Sequence, residues 1–158
     1  MPAPPPRADL GAIVAGEVCA ARALYELLEV EQQALRGGET DGLPGIVAEK
    51  AARVEQLNRL AAERDRVLAS RGLSPDRAGM QTALATDPAG REWWNRLLHL
   101  ASRARERNAL NGALIGARLA FANRALAFLN QVATREPGLY TPEGVAQAGP
   151  ASRSRASV

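Results

Sequence analysis

Residues 88–135 read PAGREWWNRLLHLASRARERNALNGALIGARLAFANRALAFLNQVATR, with no proline after the first position. Within this stretch Trp94, Leu97, Ala101, Ala104, Asn108, Asn111, Ile115, Arg118, Ala122, Ala125, Leu129 and Val132 succeed one another in alternating steps of three and four. That spacing brings side chains onto one face of an α-helix and scatters them over a strand. At about 1.5 Å per residue the helix would run roughly 70 Å, longer than a compact globular helix, so it needs neighbours along its length.

A second stripe lies beside the first. It begins with Arg96, Leu100, Arg103 and Arg107 and continues as Leu110, Leu114, Ala117, Phe121, Ala125, Phe128 and Val132. Beyond Leu110 the apolar arc is therefore about 200° wide on an ideal wheel, against the roughly 100° that one-sided packing uses. Either a second helix of the same chain covers this surplus, or it awaits a partner. Gly112, Gly116 and Ala120, four apart, would let another helix approach closely. A polar pair on the seam, Asn108 and Asn111, reads as a register device or as partner recognition.

Two shorter helices precede it. Val14, Val18, Ala21, Tyr25, Leu28, Gln32 and Leu35 form one face, with Asp9 as a candidate N-cap and Gly37-Gly38 as the stop. Leu43, Val47, Lys50, Val54, Leu57, Ala61, Arg64 and Leu68 form the next, with Asp41 as a candidate cap, Pro44 in the first turn and Gly72 at the end. This second face has a coiled-coil-like step, and the short connection makes the two helices antiparallel neighbours. Ser74-Pro75-Asp76 could start a short helix carrying Met80, Ala83 and Leu84, but the periodicity weakens between Gly72 and Gly90 and the segment reads as a mobile linker.

The pattern predicts an all-α protein: an elongated antiparallel hairpin or bundle of three helices, at about 9–36, 42–71 and 88–135, with linker 72–87. This helical domain, 9–136, lies between a Pro-rich start at 1–8 and a flexible tail at 137–158, whose compositions cannot build a core. In the tail, Leu139 and Tyr140 are isolated apolar residues that either pack back or serve as a short docking motif.

Composition bounds the function. Hydrophobic residues make up 46% of the chain and aromatic ones only 4%. The first residues, Met1-Pro-Ala-Pro-Pro-Pro, lack the charged and apolar regions of a secretory signal, and no uninterrupted apolar run reaches the roughly 18 residues of a membrane span. The expectation is a cytoplasmic protein without membrane insertion. Charge is uneven: residues 1–90 carry 10 basic and 13 acidic groups, residues 91–158 carry 10 and 4. One histidine, His99, and one cysteine, Cys19, far apart, make no metal or catalytic constellation. Gly112-Ala113-Leu114-Ile115-Gly116 interrupts no helical pattern and is not a phosphate loop. The reading is a binding protein rather than an enzyme, with no cofactor and no small-molecule substrate. Trp93 and Trp94 suit a plug at one end of the core, or less readily a binding hot spot.

Taken in order, several stretches resemble the FlgN-type flagellar export chaperones. They are Leu27-Leu28-x-x-Glu31-x-x-Ala34-Leu35, Leu43 followed by Lys50 and Leu57, Asn108-x-x-Asn111-Gly112-x-Leu114-Ile115, Asn123-Arg124-Ala125-Leu126 and Leu139-Tyr140-x-x-x-Gly144. The resemblance covers roughly residues 17–144. It implies a cytosolic chaperone that binds carboxy-terminal segments of hook-filament junction proteins, keeps them from aggregating and delivers them to the export gate. Carried over by position, Leu114, Phe121, Leu126, Phe128 and Leu129 would contact an amphipathic substrate helix, and Tyr140 would dock at the gate. Two other readings stand beside it: a chaperone or adaptor of another secretion system, and a nucleic-acid binder using Arg96, Arg103, Arg105 and Arg107. Few aromatics interleave those arginines, which disfavours the latter.

Overall fold

The Asp9 carboxylate accepts the N–H of Gly11 at 3.0 Å and opens the first helix, α1 (Leu10–Gly37). The helix ends where Gly38 takes φ 83°, a left-handed conformation that glycine adopts without a Cβ penalty. The computed structural model describes residues 9–135, with side chains through Val132. Among these residues the remaining elements are α2 (Leu43–Ser70), α3 (Arg77–Ala83) and α4 (Pro88–Arg135), all helical. Asp41 does not cap α2. The Leu43 N–H closes a turn onto the Thr40 carbonyl at 3.1 Å, which makes Gly42 the N-cap, with no side-chain bond.

The stretch expected as linker 72–87 contains a fourth helix, so the count is four rather than three among the described residues. Asp76 accepts the N–H of Gly79 at 2.8 Å, and that backbone hydrogen bond, with a second from the Ser74 side chain, holds its carboxyl below the ordinary value of 3.8. Met80 and Leu84 then enter the core, each about 1% exposed. The sequence offers this short helix through Met80, Ala83 and Leu84, but seven residues are too few for a sustained pattern, and the segment reads as a linker. Burial of those two side chains, worth about 1.5–3 kcal/mol each, fixes the segment in place.

Two units divide between Ile115 and Gly116. In the first, α1 and α2 are antiparallel: Glu17 pairs with Arg64 and Glu31 with Lys50, each at 2.7 Å. The same two-heptad step thus separates the pairs along both helices, counted in opposite directions. α4 runs parallel to α1, because Tyr25 meets Arg103 and Arg107 while Leu28 and Glu31, further on, meet Asn111. Leu10, Val14, Val18 and Ala21 of α1, Leu68 of α2, Met80, Leu84 and Leu97 form the apolar core, against which Trp93 and Trp94 pack half-buried. Arg64 lies over the Trp94 ring at 5.3 Å and Arg96 over Trp93 at 4.9 Å, so both indoles are held by cations as well as by the core.

The core is therefore apolar where α3 sits and polar further along α1. Glu31 is 1% exposed and receives both Lys50 and Asn111, while Asn111, equally buried, also donates to the Leu28 carbonyl at 2.9 Å.

The second unit, as far as it is described, is the rest of α4 from Gly116. Its large apolar side chains, Leu119, Phe121, Leu126, Phe128, Leu129 and Val132, are all exposed. By length and composition, the Pro88–Val132 part of α4 also contains a stretch apolar enough to cross a membrane, none of it buried. Arg118, Asn123 and Arg124 keep this half of the helix from being an uninterrupted apolar run.

Candidate partner-binding surface

Helical spacing alone places Leu114, Phe121 and Phe128 in one line, seven residues apart, along α4. Leu114 is half-buried, whereas Phe121 is 74% and Phe128 64% exposed. Leu129 and Leu126, 60% and 58% exposed, lie progressively round the helix. On an ideal wheel Leu126 and Phe128 are about 160° apart. A single helix laid alongside could not cover both, so full burial requires a partner that wraps or offers two elements. Gly112 and Gly116 add to the open surface: a Cβ at either would meet nothing within 4 Å, so no helix among the described residues uses the close approach that their spacing offers. Tyr140 lies outside the described residues.

Periodicity gave no warning of a second apolar feature, inside the first unit. An open groove of about 740 Å³ lies between α1, α2 and α4, lined by Leu24, Leu28, Val54, Leu57 and Leu97 among others. Small residues produce it. Ala21, Ala51, Ala101 and Ala104 face it from all three helices, where larger side chains would have closed the space. The alanines of the α4 stripe, Ala101 and Ala104, are the signal that could have found it.

The arginines are largely engaged within the fold. Arg103 and Arg107 both donate to the Tyr25 hydroxyl, at 2.7 and 2.8 Å, and lie over its ring at 4.5 and 5.3 Å. Arg107 also donates to Gln32 at 2.8 Å and pairs with Glu29 at 3.3 Å, and Arg96 is bound by Glu92. Of the four residues suggested for nucleic acid, Arg105 alone makes no such contact among the described residues, and it lines the apolar groove. Of the asparagine pair, Asn111 keys α4 to α1, but Asn108 is exposed at the groove and sets no register. No group of three His, Cys, Asp or Glu side chains suited to a metal occurs among the described residues.

The family model for the FlgN protein matches residues 7–148, a span that takes in all four helices. The chain belongs to the FlgN family. A crystal structure of a flagella synthesis protein FlgN from Pseudomonas aeruginosa is similar to it, with 29% sequence identity and a TM-score of 0.60, over 73% of this chain and 90% of that one. No curated protein matches the chain. As a FlgN-family member it is a protein of flagellum biogenesis, and the apolar half of α4 lies inside the matched region.

Proposed function

We propose that this FlgN-family chain is a cytoplasmic chaperone of flagellar type III export. It binds carboxy-terminal segments of hook-filament junction proteins, prevents their aggregation and delivers them to the export gate, with Tyr140 as the gate-docking residue. The observation that carries this reading is the apolar half of α4, where Phe121, Leu126, Phe128 and Leu129 are all at least 58% exposed. Soluble proteins rarely leave a contiguous apolar surface open unless something binds it, and an amphipathic segment laid on such a helix is a common occupant.

The test is direct. Mixing the purified chain with the carboxy-terminal segment of a junction protein should give a 1:1 species by light scattering on a sizing column. The complex should survive 0.5 M salt, because burial of apolar area is not screened, whereas binding through phosphate contacts falls steeply with salt. Absence of a complex with every junction protein of the same flagellum would remove the proposal.

A further inference from the structure

We propose that a pocket formed by Tyr25, Gln32, Arg36, Arg103, Arg107 and Leu110 is a binding site for a carboxylate side chain of an acidic partner peptide. The pocket, about 480 Å³, lies entirely within the first unit, between α1 and α4.

Its polar wall consists mainly of donors. Three guanidiniums reach it, and a guanidinium donates through five N–H groups and accepts none. Arg107 uses its donors on Tyr25, Gln32 and Glu29, but Arg103 donates only to Tyr25. Among the described residues neither Arg36 nor Arg103 has a carboxylate in ion-pair range. The Tyr25 hydroxyl accepts from both arginines, and among the described residues no acceptor takes its own proton. Gln32, 5% exposed, gives its carbonyl to Arg107, and among the described residues its amide nitrogen has no acceptor. Two guanidiniums on one aromatic ring repel each other, and an oxyanion between them relieves that repulsion while accepting their spare N–H groups.

The remaining lining selects the ligand. Glu106, held by Ser102 at 3.1 Å, faces the same pocket, and Glu29 stands on Arg107. Two carboxylates lower the positive charge of the three guanidiniums, which suits one singly charged carboxylate gripped in a bidentate fork better than a polyphosphate backbone. Leu110, 45% exposed, adds an apolar wall, so the site suits an acidic residue flanked by an apolar one. The assignment deepens the export-chaperone reading and rests on it for the source of the carboxylate.

Arg103 is exposed, so Arg103→Gln should leave the fold intact, with unchanged helicity as the check. The full chain, with arginine side chains followed by NMR, is titrated with acetylated Glu-Leu amide, acetylated Gln-Leu amide, inorganic phosphate and a single-stranded oligonucleotide. The Arg103 and Arg107 Nε–H signals should move with the Glu peptide alone, and the Arg107 signal should stay still in Arg103→Gln. An equal response to the Gln peptide, no response at saturation, a response to phosphate only (an adventitious ion only), or tighter binding of the oligonucleotide would each overturn the site. In a second arm Arg103→Gln should weaken binding of the junction-protein segment at least tenfold. Unchanged affinity there would exclude the pocket from the partner site and leave the chaperone reading standing. Failure of that segment to bind the wild type, with the Glu peptide still bound, would do the reverse.

Discussion

Asn111 donates its side-chain N–H to Glu31 at 2.9 Å from one side, while Lys50 donates to the other oxygen of the same carboxylate at 2.7 Å. One buried acid thus ties three helices together, and its charge is compensated by a cation and an amide rather than by water. Replacing Asn111 with alanine leaves a Glu31 oxygen without its partner in the interior and removes a second hydrogen bond from the Leu28 carbonyl. The expected cost is about 1–3 kcal/mol in urea denaturation, the penalty for an unsatisfied buried polar group. A change below about 0.5 kcal/mol, the range of ordinary surface substitutions, would show that α4 is not anchored there.

The division between what sequence pattern reveals and what it hides stems from this arrangement. Apolar periodicity located α1, α2 and α4, because each presents a face that must be buried. It also marked Lys50, Arg64 and Asn111 as polar members of apolar seams, the positions where ion pairs and hydrogen bonds now hold the helices. It suggested α3 only faintly, through Met80, Ala83 and Leu84, because so short a stretch reads as readily as a linker. Nor did it reveal the arginine grip on Tyr25, since which cations meet an aromatic ring depends on how α4 is placed against α1. The open face of α4 was legible as a surplus of apolar arc, but only coordinates decide between burial and exposure at Phe121 and Phe128.

Glycines separate packing from openness. At Gly79 a Cβ would overlap the Ser74 carbonyl oxygen, and backbone cannot yield as a side chain does. Gly79→Ala should therefore destabilise by about 1–3 kcal/mol, as overpacking does. Gly112→Ala and Gly116→Ala meet nothing and should each stabilise α4 by up to about 1 kcal/mol through helix propensity. Thermal unfolding followed by circular dichroism checks all three. If the two alanines also weaken partner binding, the glycines serve a close approach by the partner's backbone.

Glu17 gives a pH signature. Burial raises its pKa above the ordinary 4.5, and the Arg64 charge and hydrogen bond oppose that rise without cancelling it. A carboxyl with a raised native pKa binds its proton more tightly folded than unfolded, so it favours folding more as pH falls through that native value toward 4.5. Asp76 acts oppositely and lower: its depressed pKa contributes stability above its ordinary 3.8 that is lost in stronger acid. Urea midpoints between pH 7 and pH 4.5 should therefore show a stabilising component in the wild type that Glu17→Gln lacks. Identical slopes for the two proteins would contradict the assignment.

The width of the open arc can itself be measured. Phe121 and Phe128 lie along one line of α4 and Leu126 nearly opposite, and all three are exposed, so aspartate at any of them should change unfolding stability by less than about 0.5 kcal/mol. Their effects on partner binding carry the information. Burying a phenylalanine or leucine is worth about 1.5–3 kcal/mol, roughly 10- to 150-fold in affinity, so each single aspartate should weaken a junction-protein segment by that factor if the partner covers its position. We expect Phe121→Asp and Phe128→Asp together to abolish binding while circular dichroism stays helical, and Leu126→Asp to weaken it as well, because the arc is too wide for a one-sided contact. Normal binding by Leu126→Asp would restrict the partner to the Phe121–Phe128 line. Loss of helicity in the double variant would instead mean that this face stabilises the protein's own fold.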